Sequence, residues 1–159
     1  MRKLFFPALI ALFLFCSLSC TKETSQMVNG SAISSATQTG LVGRQQQITV
    51  PTGDYTYPTS QALLWLPKCY NKAGKADKSF PLIIALDGTG EQGTDINALF
   101  HTGTIAKHIA DGWDAVAVNP VNGRSYKFIV FTPQCPVQWG WSSLHIKTML
   151  ANLEANYRI

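Results

Sequence analysis

The chain has 159 residues, with 13 Lys and Arg against 9 Asp and Glu, a net charge of +4. Arg2 and Lys3 belong to an N-terminal export segment, so 11 basic residues against 9 acidic remain once it is removed, a net of +2. That balance, with no block of like charge anywhere, gives no ground for a nucleic-acid partner or an anionic surface.

Taken in order, residues 1–19 read as a signal peptide. Arg2 and Lys3 supply its positive end, and Leu4 to Phe15 is apolar apart from Pro7. That run is too short to span a bilayer. Ser17-Leu18-Ser19-Cys20 places small residues before a cysteine, which resembles a bacterial lipoprotein cleavage site. Cys20 is then the lipidated first residue of the mature chain, and the membrane is reached through that lipid. The expected location is the cell envelope, on its periplasmic or surface side; the alternative is simple cleavage and secretion. Residues 20–45 are rich in Ser, Thr, Gln and Gly with no apolar period, the pattern of a flexible tether. The folded part is expected over residues 46–159.

Gln46 to Val50 and Tyr55 to Tyr57 flank Pro51-Thr52-Gly53-Asp54, a set of turn residues fitting a hairpin or a broken strand. Gln61 to Leu66 is the next strand, closed by Pro67. A polar, lysine-rich loop over Asn71 to Lys78 leads to Leu82 to Leu86. This unbroken apolar run reads as a strand buried on both faces, as in a parallel sheet. Gly88, Gly90 and Gly93 follow directly. A buried strand ending in such a loop is where open α/β sheets place ligands.

Two chemistries use such a loop. The spacing Gly88-x-Gly90-x-x-Gly93 matches a dinucleotide fingerprint, in which a helix opens within the loop and holds a pyrophosphate. Alternatively, the loop's backbone N–H groups form an oxyanion hole for acyl transfer. The glycines alone do not choose between them.

The run L-L-W-L-P-K-x-Y, then P-L-I-I-A-L-D-G-T-G-E-Q-G, and later F-I-V-F-T-P-Q-C-P with W-G-W, carries a resemblance. It is similar to the exported bacterial esterases and peptidases of the α/β-hydrolase family, related to polyhydroxybutyrate depolymerases and prolyl oligopeptidases. The resemblance spans Leu63 to Ile159. It implies an α/β fold, the front half of an α/β-hydrolase sheet: antiparallel leading strands, then parallel strands with crossover helices, incomplete at the C-terminus. It also implies half an oxyanion hole, at Asp87, Gly88, Thr89 and Gly90. Gly88, Gly90, Glu91 and Gly93 match the family's His-Gly-x-Gly-Glu-x-Gly. Asp87 stands where the family has His, and a carboxylate there opposes an oxyanion unless it is protonated or turned away to bond backbone.

Beyond the loop, Asp95 to Phe100 fits neither helix nor strand. Thr102 or Thr104 can cap a helix running to Asp111, which Gly112 stops. Trp113 to Tyr126 reads as an irregular excursion with turn signals at Asn119-Pro120 and Asn122-Gly123. Phe128 to Phe131 is a second buried strand. Ser142 N-caps a helix whose Ile146, Met149, Leu150, Leu153 and Tyr157 share one face.

The family's nucleophile, in Gly-x-Ser-x-Gly, and its acid and histidine have no counterpart, so no catalytic residue is assigned. Ser142, in Gly140-Trp141-Ser142-Ser143, is better explained as a cap. His101, His108 and His145 form no triad and no metal spacing, and no cofactor is implied. In the resembled fold the strands ending near Pro67 and Gln134 run antiparallel. That separates Cys69 from Cys135 by roughly 20 Å, beyond disulfide reach, so both are expected as thiols.

These readings leave three functions. One is an exported serine hydrolase acting on a small ester or peptide, if completed by a further C-terminal half. A second is a non-catalytic cell-surface binding module or a truncated remnant of that fold. The third, a dinucleotide-binding oxidoreductase, needs a helix opening in the glycine loop and an acidic residue ending the next strand.

Overall fold

The computed structural model describes residues 40–74, 76–136 and 140–159. The expected signal peptide, Cys20 and the expected tether up to residue 39 lie outside the described residues, as do Lys75, Val137, Gln138 and Trp139. Seven strands are formed: β1 (Gly40–Val42), β2 (Gln45–Pro51), β3 (Thr59–Trp65), β4 (Leu82–Ile84), β5 (Val116–Val118), β6 (Ser125–Lys127) and β7 (Ile129–Pro133). Two α-helices, α1 (Ile105–Ala110) and α2 (Ser143–Asn156), and a 3-10 turn over Ile96–Phe100 complete the described elements.

Local chemistry explains most of the boundaries. β1 and β2 are joined by only Gly43 and Arg44, both at positive φ (53° and 69°). That is the two-residue turn whose twist suits a hairpin. Arg44 is an unusual occupant of left-handed backbone, and its side chain is tied down by tertiary contacts. Its guanidinium donates to the carbonyl of Ile109 at 2.7 Å, pairs with Asp114, and lies 4.9 Å from the centre of the Trp65 ring. Thr104 caps α1, accepting from the Lys107 N–H at 3.1 Å, and Gly112 ends it at φ 119°. Ser142 caps α2 with a reciprocal bond from its N3 residue, His145.

The main sheet has the order β1-β2-β3-β7-β4. Its β1–β2, β2–β3 and β3–β7 pairings are antiparallel, and only β4–β7 is parallel. Side chains alternate across it, as strand geometry requires. Ile48, Ala62, Leu64, Ile129 and Phe131 face α2 and meet Met149 and Leu153. Leu63 faces the other way, onto Ile96, Leu99 and Ala106, and Trp65 and Val130 pack there on Ile109 and Ala115. β5 and β6 form a separate antiparallel pair.

This architecture overturns the expected fold class. The chain is a small domain built mostly of strands in two sheets, with a mainly antiparallel principal sheet. It is not the expected front half of an α/β-hydrolase sheet, in which antiparallel leading strands give way to parallel strands with crossover helices. The reason lies in the connections. The Gly43-Arg44 turn adds an antiparallel strand at one edge, and Trp113 to Tyr126, read as irregular, folds back as the β5–β6 hairpin. The position of β4 also differs from expectation. It lies at an edge with all three residues half-buried, while β7 sits inside with every residue buried. An unbroken apolar run reports cover on both faces, which β4 has: Leu82 and Ile84 pack toward α2 and Ile83 toward Ile109. It does not report how many strands flank it.

Ile96–Phe100 forms the 3-10 turn, capped by the Asp95 side chain, and the strand paired with β2 is Thr59–Trp65, with Tyr55 to Tyr57 in the connecting loop. Cys69 and Cys135 are not disulfide-bonded.

Phe131 is fully buried, and its neighbours across the sheet are Leu64 and Ile84. Phe131→Ala should lower unfolding free energy by about 3–5 kcal/mol in urea titrations. Val121→Ala, at a position 92% exposed, should stay within about 0.5 kcal/mol.

Candidate functional site

The glycine loop is stitched to the end of β7 by four hydrogen bonds. The Gln134 side-chain amide donates to the carbonyls of Glu91 at 2.8 Å and Asp95 at 2.7 Å. The Cys135 N–H donates to Asp87 Oδ2 at 2.9 Å, and the Gly93 N–H donates to the Cys135 carbonyl at 2.9 Å. Gln134 is itself buried, with its N–H on the Gln61 carbonyl at 2.8 Å and its own carbonyl taking the Ser60 hydroxyl. The loop is therefore fixed against the sheet. Only Gly93 of its three glycines holds left-handed backbone, at φ 122°.

Beyond the carboxyl ends of β4 and β7 lies a cleft of about 350 Å³. This is at the small end of the range of about 300–1,000 Å³ typical of ligand sites. Ala85, Leu86, Leu99 and Ile105 make its apolar wall. Asp87, Glu91, Thr104 and Thr132 are its polar groups, and among the described residues no Lys, Arg or His lines it.

The four polar groups differ in what they have left to offer. The Thr104 hydroxyl is committed to the helix cap and donates toward the carbonyls of Leu99 and His101. Glu91 accepts the Gly88 N–H through Oε2, and its own N–H closes a turn onto the Gly88 carbonyl at 3.2 Å. Thr132 is only 4% exposed, and its Oγ1 has no hydrogen-bond partner. Asp87 uses Oδ2 on Cys135, while its buried Oδ1 completes no hydrogen bond. Burial pushes the Asp87 carboxyl above its usual pKa, and the negative charge of Glu91 adds to the rise. The Cys135 N–H and the nearby Trp141 indole oppose it, although the indole N–H does not complete a hydrogen bond either.

Of the four loop residues expected to form an oxyanion hole, only Asp87 lines the cleft. Gly88, Thr89 and Gly90 are exposed, and the Gly88 N–H is held by Glu91. Asp87 is turned toward the backbone of Cys135, on the neighbouring strand's continuation. Thr132 and Gln134 are the residues that sequence reasoning passed over. Their one signal was position, as polar residues ending a fully apolar strand.

A second constellation has triad composition without triad geometry. His145 Nε2 lies 3.4 Å from Asp54 Oδ2, and its Nδ1 accepts the backbone N–H of Ser142 at 3.3 Å. Neutral imidazole with Nδ1 accepting carries its proton on Nε2, toward Asp54. The Ser142 hydroxyl meets the His145 backbone N–H at 3.2 Å, not the ring. This is a capping box, and no base addresses the serine. His101 and His108 are exposed.

No helix opens within the glycine loop, and the strand after β4 is β5, in the other sheet. The dinucleotide geometry is therefore not assembled among the described residues. Among them, too, no three His, Cys, Asp or Glu side chains gather as metal ligands. A larger hollow of about 780 Å³ lies between residues 70–74, Ala76 and Arg158. There the Arg158 guanidinium donates to the carbonyls of Ala76 and Tyr70 and stacks on the Tyr70 ring, so it ties the chain's end to the β3–β4 loop.

No protein-family model matches the chain, and no curated protein matches it.

Gln134→Leu leaves the Glu91 and Asp95 carbonyls without their donor. Hydrogen-exchange mass spectrometry should show faster exchange over Gly88 to Asp95, with protection in α2 unchanged.

Proposed function

We propose that this chain is a lipid-anchored binding module of the cell envelope, whose cleft beyond β4 and β7 takes a small ligand. The observation that carries this reading is the Thr132 hydroxyl, buried in the cleft wall with no partner. Native proteins rarely leave such a group unpaired, because its desolvation goes uncompensated. A ligand polar atom in the cleft supplies what the fold does not. The apolar wall gives the same ligand a surface to cover, and the stitched loop means the cleft is formed before binding. Membrane attachment rests on the Ser17-Leu18-Ser19-Cys20 pattern and runs through a lipid on Cys20.

A second reading is hydrolysis of a small ester or peptide, with serine-hydrolase chemistry. It is favoured by one feature, the Gly88 N–H, which already holds a carboxylate oxygen and so is able to receive a negative charge. Two features oppose it. Asp87 and Glu91 place negative charge where an oxyanion would form. Among the described residues no serine is addressed by a histidine.

Two measurements test the proposal. Fragment screening by NMR should find ligands that shift the methyl resonances of Leu86, Leu99 and Ile105. Thr132→Val should weaken them about 2–10-fold, the worth of one neutral hydrogen bond. Turnover of p-nitrophenyl esters or labelling by a fluorophosphonate would transfer support to the hydrolase reading. For the anchor, a bacterium fed an alkyne fatty acid should label the wild-type chain and not Cys20→Ser.

A further inference from the structure

We infer that the ligand of this cleft is a small primary amine: an ammonium group received by Asp87 and Thr132, with a short apolar body against Leu86, Leu99 and Ile105. The inference rests on the binding reading above and narrows it to one chemical class.

The charge of the site comes first. Its two ionisable wall residues are both acidic, and no cationic side chain among the described residues lines it. A carboxylate or phosphate ligand would meet two negative charges in a partly desolvated place. A neutral ligand would leave the Asp87 charge uncompensated. A cation offsets it, and opposite charges attract more strongly away from bulk water.

The open valences come second. Asp87 Oδ2 and Glu91 Oε2 are each engaged by a backbone N–H. Among the cleft-lining residues, the buried side-chain atoms left without a hydrogen bond are Asp87 Oδ1, an acceptor, and Thr132 Oγ1, which accepts as readily as it donates. An ammonium group has three donors and no acceptor, so it suits sites whose unmet groups are acceptors. A guanidinium would need a flat, two-oxygen face, and here one oxygen of each carboxylate is already taken. Quaternary ammonium has no N–H to offer either group and commonly seeks aromatic walls, which this cleft lacks.

The size of the cavity comes third. About 350 Å³ with four apolar side chains suits a short alkyl or aryl body.

The effect of pH follows with a definite sign. The groups facing Asp87 are Glu91, the Cys135 N–H and the Trp141 indole. An ammonium ligand is favoured while Asp87 is ionised. Its affinity therefore falls as pH drops through the Asp87 pKa, and burial places that fall above the pH usual for an aspartate. A neutral ligand shows no such fall.

The test is an NMR titration of the folded chain at pH 7 with n-butylammonium, 1-butanol and butyrate, isosteres of three charges. Binding of butylammonium is expected to shift Leu86, Leu99 and Ile105, with butanol at least about tenfold weaker and butyrate without effect. Asp87→Asn keeps an acceptor for the Cys135 N–H and removes the charge. It should cost about tenfold in butylammonium affinity and leave butanol unchanged. Thr132→Val is a second, independent variant, expected to weaken the amine 2–10-fold. Equal or tighter binding of butanol or butyrate in the cleft overturns the amine assignment and leaves the binding module standing. If none of the three shifts a cleft residue at tens of millimolar, while the spectra show an intact fold, both fall.

Discussion

One buried amide holds the candidate site in place. Gln134 directly follows β7, and its backbone and side chain bond in two directions: to β3 through Gln61 and Ser60, and to the glycine loop through Glu91 and Asp95. The side-chain amide does what a short extra strand would do, satisfying loop carbonyls that otherwise face the protein interior. Its own Oε1 is left without a hydrogen bond, so the arrangement gives up one acceptor to satisfy two. The two acidic groups of the cleft depend on this link, because Asp87 and Glu91 lie on the stretch that Gln134 and Cys135 secure.

The same chain shows why residue type is a poor guide to chemistry. Aspartate, histidine and serine come together at the start of α2, as in a hydrolytic triad. Yet the imidazole addresses a backbone N–H and the hydroxyl addresses another. The atoms that would need to exchange a proton do not face each other, and the cluster anchors a helix end to the β2–β3 loop. Conversely, the cleft has few residues of obvious catalytic type. Its character comes from what is left unpaired: a hydroxyl and one carboxylate oxygen among apolar side chains.

Elements governed by local rules were legible in the sequence. The cap at Ser142, a cap at Thr102 or Thr104, the stop at Gly112 and the buried strand before Pro133 follow from hydrogen-bonding side chains, glycine backbone and hydrophobic pattern within a few residues. Elements governed by partners far along the chain were not. That β7 lies between β3 and β4 is set by pairing across the whole domain, and so the fold class was misread from runs that are correct as strands. The β5–β6 pair was hidden because Val116-Ala117-Val118 is short and mostly exposed, without the buried run or clean alternation that marks a strand. In the site, Asp87 was visible as a departure from a motif, but its engagement with Cys135 was not. Thr132 carried no signal of its own. A threonine at the end of a strand becomes a binding group only when the fold denies it a partner.

The bond between Ser60 and Gln134 joins positions 74 residues apart, and the β3–β7 ladder beside it has a similar span. The centre of the sheet thus closes late, after a long loop has been ordered, and topology of this kind folds slowly. For the envelope location proposed above, such delay has a use: a polypeptide whose sheet has not closed stays threadable during passage. The same delay leaves the Leu82–Ile84 backbone uncovered in the interval, so the time spent unclosed is also the time of greatest exposure to other unfolded chains.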